Sequence, residues 1–186
     1  PYIDVDPASG RDMPVLNIAM VGSDDLAREI AKPTDQRDVH TYVHKESGAD
    51  GPRILSIIRP AKYPERLRPF LNALSAARVG IIEVQRIDAT LGEALVAFAS
   101  SGLTKGMAII NAPEGEWVDE EQAKMLFKQA GLADWTFAQG DGIELRTILY
   151  GFMDDIADEL RANAEAPLVI PVDQYFNVKG IGLVAI

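Results

Sequence analysis

Apolar positions along this chain come in short unbroken runs, separated by stretches in which they recur every three or four residues. Residues 15–21, VLNIAMV, are such a run and predict a strand buried on both faces. Gly22 follows at once. Ser23, Asp24 and Asp25 then open LAREIA, an amphipathic helix over 23–31 that Lys32-Pro33 ends. Residues 39–43, VHTYV, alternate, ESGADGP is turn-rich, and 53–58, RILSII, is apolar again. That reads as an antiparallel hairpin whose second strand lies beside the first strand of the chain.

Beyond the hairpin, strands and helices alternate. Leu67, Phe70, Leu71 and Leu74 have helical spacing and are expected to face the core, with Pro64 and Pro69 near the helix start. Residues 79–84, VGIIEV, form the next buried strand. Thr90 and Glu93 have capping-box spacing for a helix through Ala99 that Gly102 closes. A strand at 106–110 follows. Asp119 and Gln122 cap a further helix that Gly131 ends, and 135–138 is a brief strand. A long helix over 142–164 carries Leu145, Ile148, Leu149, Phe152, Ile156 and Leu160 as its inner stripe. This alternation predicts an α/β fold: a mostly parallel sheet with helices on both faces and 39–43 antiparallel at its edge.

The two ends differ from this pattern. Residues 1–12, PYIDVDPASGRD, have turn residues and no period, and read as a leader or flexible arm. From Pro167, LVIPVDQYFNVKGIGLVAI has β-rich segments broken by Pro, Asn and Gly, like the opening strands of a β-barrel. The expected division is therefore 1–12, an α/β domain over 13–166, and the start of a barrel domain over 167–186.

Composition narrows the chemistry. The 186 residues are 47% hydrophobic, enough for a substantial core, and no apolar run approaches membrane-span length. Zero Cys excludes disulfides, thiolate metal sites and Cys catalysis, and two His leave little for a zinc site or a Ser-His-Asp triad. No export signal is visible at the N-terminus, so the expected location is cytoplasmic, away from membranes. The net charge of −10 argues against a protein that coats nucleic acid generally. It is unevenly spread, however. Residues 53–78 hold six basic residues against Glu65 alone, a balance of +5 that leaves −15 for the rest. Within that stretch Arg59, Lys62, Arg66 and Arg68 form a candidate docking face for RNA or an acidic partner; a solvated helix face is the plainer reading.

Strand, glycine and helix in succession are the frame of a phosphate-binding turn, in which backbone N–H groups at a helix start hold an anion. The nucleotide-binding pattern is GxxxxGK[ST]. Counted from Gly22, its second Gly falls on Ala27, its Lys on Arg28 and its Ser/Thr on Glu29, with Asp24 and Asp25 adding negative charge. The frame is present without its chemistry. A dinucleotide-binding GxGxxG is absent too, since GSDDLA supplies one Gly. A receiver-like phosphoacceptor would need an Asp at the end of the third strand, and neither Ile58 nor Val84-Gln85 provides it. Asp24 and Asp25 read as first-turn acids favoured by the helix dipole.

Taken together, the segments resemble the translational GTPases of the elongation factor Tu and SelB type, from Val15 to the last residue. VLNIAMVG is similar to the family's first strand and phosphate loop, and RILSIIRPAKYPERLRPFLNALSAARVGIIEV to the segment holding DxPGH and its helix. GMAIINAPEG resembles the strand ending in NKxD, and FAQGDGIELRTIL the SAxxGxGIxxL segment. PLVIPVDQYFNVKGIG resembles the start of domain 2, with its VxxxFxIxGxG phrase, and is the most specific match.

The resemblance implies a P-loop GTPase-like domain leading into a barrel, a role in translation, and binding of tRNA or the ribosome. The departures fall on the nucleotide chemistry. At DxPGH only Pro60 survives, with Ile58, Ala61 and Lys62 in place of Asp, Gly and His. Asn111 of NKxD is kept, while Ala112 and Glu114 replace Lys and Asp; Ala138 of the SA pair is kept beside Phe137. Only PTDQRD separates the first helix from the next strand, too short for an effector loop carrying Thr34 to Mg²⁺. Phosphoryl transfer needs the cradle, the Lys, Mg²⁺ and a placed water. The degenerate site positions are therefore Gly22, Arg28, Asn111, Glu114 and Ala138. No catalytic residue, metal or cofactor is expected; GTP or GDP with Mg would bind only in a site rearranged around Arg28. The chain reads as a pseudo-GTPase of SelB-like translation factors, and the alternative is a protein-interaction or structural module without RNA binding.

Overall fold

A computed structural model describes residues 15–48, 51–162, 175–178 and 182–185. The expectations for 1–12 and for 167–174 lie outside the described residues.

The elements in chain order are β1 (Val15–Val21), α1 (Asp24–Ile30), β2 (Lys32–Gln36), β3 (Val39–Gly48), β4 (Gly51–Pro60), α2 (Leu67–Ala76) and β5 (Val79–Val84). They continue as α3 (Ala89–Ser100), β6 (Lys105–Ile110), α4 (Glu120–Gln129), β7 (Thr136–Ala138) and α5 (Gly142–Ala162), followed by β8 (Tyr175–Val178) and β9 (Gly182–Ala185). Strands β1 to β7 form one sheet in the order β2-β3-β4-β1-β5-β6-β7. From β4 to β7 all neighbours are parallel, whereas β2, β3 and β4 pair antiparallel. β8 and β9 make a separate antiparallel pair.

β1 is central because its residues are apolar on both faces: Leu16, Ile18 and Met20 point to one layer and Ala19 to the other. On the first side Leu26, Ala27 and Ile30 of α1 pack with Leu145, Leu149, Met153 and Ile156 of α5. α2, α3 and α4 cover the second side through Phe70, Leu74, Leu95, Phe98 and Phe127. Trp135, just before β7, lies across that face where Gly80 of β5 and Gly106 of β6 stand side by side in register. A β-carbon on Gly80 would come within 2.6 Å of the Phe98 ring as well as against the indole. Paired glycines thus make the bay that takes the largest side chain.

The sheet, its central pair and the hairpin match the sequence expectation, with local differences. β3 is not the edge, because Lys32–Gln36 forms a further strand on it through Lys32↔Val43 and Pro33↔Tyr42. Every residue of β2 is exposed, so it has no apolar alternation to betray it. α3 is capped by Asp88, whose carboxylate accepts from Leu91 N at 2.9 Å, rather than by Thr90. Asp119 does cap α4, accepting from Gln122 N at 3.1 Å.

In α2 the buried residues are Phe70, Ala73 and Leu74, while Leu67 and Leu71 are about half exposed. The small Ala73 and Ala77 turn inward and let the helix lie close on the sheet, which rotates the two leucines outward. In α5 Leu160 is exposed, and Tyr150, Met153 and Ala157 join the buried stripe instead.

Candidate functional site

Crevices that hold ligands in open α/β sheets lie beyond the carboxyl ends of the strands, where the chain departs to opposite sides of a central strand. Here that place is between β1 and β5. β1 leads to α1 on one side of the sheet, β5 leads to α3 on the other, and the Gly22 turn faces the end of β5.

The centre of this crevice is Glu83, in β5, the one charged residue buried among the described residues. Its Oε2 accepts from the Ser23 backbone N–H at 2.5 Å and from Gln85 Nε2 at 3.2 Å. Its Oε1 accepts from Ser23 Oγ at 3.0 Å and from Asn111 Nδ2 at 2.6 Å. Ser23 Oγ accepts in turn from Leu26 N at 3.2 Å, so it caps α1 while donating to the carboxylate. A buried carboxylate is costly unless its lone pairs are filled, and four donors fill them here. Gly22 is what lets it approach: a β-carbon there would stand 2.9 Å from Glu83 Cβ and 2.9 Å from Met20 Cε. The glycine that would give a phosphate access to the backbone instead gives access to a side chain of the protein's own.

A second cluster closes the other side of the turn. Asp24 accepts hydrogen bonds from the Tyr42 hydroxyl and from Arg28 Nε, and His40 Nδ1 lies 3.8 Å away. The Tyr42 bond, then the Arg28 bond, lower the Asp24 carboxyl to about 2. Tyr42 is raised by burial and by the same bond. Arg28, on the exposed side of α1, is raised by its bond to Asp24 and is thereby turned along its own helix. Arg59, from the end of β4, donates from Nε to the Gly22 carbonyl at 2.7 Å, with Nη1 3.4 Å from His40 Nδ1.

Of the site positions read from the sequence, the fold brings Gly22 and Asn111 together around Glu83, and Arg28 borders them through Asp24. Glu114 is exposed in the loop after β6, and Ala138 is buried in β7 opposite Ile109; neither reaches the turn. Of the basic residues, Arg59 is directed inward. Lys62, Arg66 and Arg68 are exposed, and Arg66 pairs with Asp38 at 3.3 Å.

Sequence reasoning missed Glu83, Tyr42 and His40. Glu83 had left a signal, an acid inside the otherwise apolar run VGIIEV. Tyr42 and His40 left none, because a hairpin residue meets a helix start only through the fold.

What remains open beside the carboxylate is a cavity of about 240 Å³ lined by Gly22, Tyr63, Glu83, Gln85, Arg86 and Asp88. Arg86 is held at its rim by a bidentate pair with Glu116, at 2.6 and 2.7 Å. No group of three or more His, Asp or Glu that could hold a metal occurs among the described residues, and no described helix is long and apolar enough to cross a membrane.

No protein-family model matches the chain. An uncharacterized protein of Methanocaldococcus jannaschii is 23% identical over 159 residues, which is 86% of this chain and 47% of that protein; the chain thus spans about half the length of the relative it matches. Among solved structures, it resembles a bacterial selenocysteine-specific elongation factor with a TM-score of 0.53 and 18% identity, over 93% of this chain and 34% of that one. At that identity the likeness is one of fold. What it shows is a mostly parallel seven-stranded α/β domain consistent with a P-loop-like architecture.

Proposed function

We propose that this chain is the G-domain-like part of an elongation-factor-like translation protein, a pseudo-GTPase that supports a barrel domain beginning near 167 and binding tRNA or the ribosome. The observation that carries the first half is the Glu83 carboxylate. It takes the Ser23 N–H and hydroxyl and the Asn111 amide, three of the groups that would otherwise face a nucleotide. Arg28, at the position of the phosphate-loop lysine, is engaged by Asp24. Phosphates approaching this edge would meet Glu83, Asp24 and Asp25, while Arg59 is bound to the Gly22 carbonyl. The translation role rests on the fold likeness to a selenocysteine-specific elongation factor and on the domain 2 phrase in the sequence.

Isothermal calorimetry with Mg-GTP and Mg-GDP should give no saturable heat up to millimolar ligand, and the protein should release no phosphate from GTP. Micromolar binding of either nucleotide sinks the pseudo-GTPase reading. For the second half, full-length protein should retard tRNA or co-sediment with ribosomes, and removal of everything from 167 onward should abolish it.

A second reading, a protein-interaction module, is favoured by Leu67 and Leu71. They stand exposed between Arg66, Arg68 and Asn72, as a protein partner would use them and a phosphate backbone would not.

A further inference from the structure

We infer that the carboxyl-end edge of the sheet is a self-docking surface, on which the acidic Trp117 loop of one copy enters the basic groove at the head of α2 of a second copy. The inference stands apart from the nucleotide question.

The groove is lined by Asp38, Val39, Arg66, Leu67, Arg68 and Asn72 and has a volume of about 540 Å³. Leu67 and Leu71 are 53% and 48% exposed, four residues apart on the outer side of α2. Lys62 and Arg68 are exposed and make no ion pair among the described residues. Val39, Leu67 and Pro69 give the groove its apolar part and Arg68 its unpaired cation, while Arg66 is paired there with Asp38; Leu71 and Lys62 lie outside the lining.

The complement is in the same chain. The loop from β6 to α4 presents Trp117, 80% exposed and the most exposed large hydrophobic among the described residues. Around it lie Glu114, Glu116, Asp119 and Glu121, all exposed; Glu116 is paired with Arg86 and Glu121 with Lys124, and Glu114 and Asp119 leave the loop net acidic. An aromatic anchor on a net-acidic loop fits an apolar groove bordered by a net-basic stretch.

Both features are at the same end of the molecule. Val39 is opposite Pro60 at the carboxyl end of β4, and the loop leaves the carboxyl end of β6. β3 and β6 are four strands apart, about 19 Å at ~4.8 Å per strand, so the two features rise from well-separated strands of one edge. Because loop and groove share one edge, a two-fold axis between them makes both contacts at once and closes the assembly as a dimer. Each chain carries −10, and at about 0.1 M salt the repulsion between charges of two chains is screened beyond ~10 Å.

Sedimentation equilibrium tests this. The chain should pass from monomer to dimer below about 100 μM, a weak-dimer range. On the same dilution series Trp117 emission should shift to the blue with dimerisation, while Trp135, buried in the second core, stays constant. Trp117→Ala and Leu67→Ser/Leu71→Ser, with unchanged melting curves, should each weaken association about tenfold or more. Mixing the two variants should restore a heterodimer, since one chain keeps its groove and the other its loop. A chain that stays monomeric overturns the inference, as do dimers indifferent to both variants. So does a monomer whose Lys62 and Arg68 are taken up by RNA.

Discussion

The heads of α1 and α2 stand at the same edge of the sheet and are built in opposite ways. At α1 the polar groups of the turn find partners within the chain: Ser23 in Glu83 and Leu26, Asp24 in Tyr42 and Arg28, Gly22 O in Arg59. At α2 the start is Arg66, which makes no side-chain cap, and leucines and cations face water. In an active phosphate-binding turn the polar groups at the helix head must stay free for the ligand, and stability is given up to keep them so. Here the turn has become part of the core network, and the unsatisfied surface lies on the neighbouring helix. The place where nucleotide chemistry would sit is where substitution should hurt folding most; the place free to meet a partner is where it should hurt least.

Glu83 gives the largest expected effect. Glu83→Ala strips four donors of one acceptor group and leaves the part-buried Ser23 N–H without its partner. We expect a loss of about 3 kcal/mol or more in urea unfolding, given ~1–3 kcal/mol for each unsatisfied buried group. Glu83→Gln keeps the volume but turns an NH2 toward donors, and should cost nearly as much. If either variant keeps wild-type stability, the network is decoration and the turn is still an open site. Gly22→Ala comes next. Its β-carbon would stand 2.9 Å from Glu83 Cβ and from Met20 Cε, and overpacking of this kind costs about 1–3 kcal/mol. Unchanged unfolding would show that the turn gives way freely.

The sheet was legible in the sequence because its strands are apolar on both faces and its helices carry caps and closing glycines. Those signals are local, and Asp119, Gly102 and Gly131 did what their spacing implied. The misses share a cause. β2 buries nothing, so it has no pattern. In α2 the helical spacing of leucine points to one face, whereas close packing on the sheet selects the face with Ala73 and Ala77. At the candidate site, motif positions located the turn, but not the side chains that gather around it. Glu83, Tyr42 and Arg59 come from three different strands, and only strand order brings them to one helix head. A motif is read from neighbours in sequence, and has no position for a side chain that arrives from another strand.

pH separates the turn from the far side of the hairpin by a smaller effect. Asp24 has its carboxyl lowered to about 2, so the stability it contributes is complete above the ordinary 3.8 and is lost only as pH falls through about 2. His44, whose Nδ1 is 2.9 Å from the Tyr150 hydroxyl, is lowered chiefly by burial and then by Arg146. A histidine with a depressed folded pKa binds fewer protons folded than unfolded. Stability is therefore full above about 6.5 and declines as pH falls toward the folded value. Unfolding midpoints between pH 7 and 5 should fall slightly, and His44→Gln should flatten that decline. A decline that survives His44→Gln belongs to another group.

The smallest expected effect is at the head of α2, and it decides what that surface is for. Lys62, Arg66 and Arg68 changed together to Ala remove one exposed ion pair, Arg66 with Asp38, and no buried contact. Exposed pairs are worth ~0–1 kcal/mol, so the unfolding free energy should stay within about 0.5 kcal/mol of the parent. The informative readout is association. If the patch meets acidic protein surface, the triple variant weakens self-docking and leaves the salt dependence of any RNA binding unchanged. If the patch meets phosphates, each lost contact flattens the plot of log affinity against log salt by about 0.7–0.9, and three should be plain. Exposed Leu67 and Leu71 between the cations favour the first outcome, because counterion release needs charge alone and leaves two leucines uncovered.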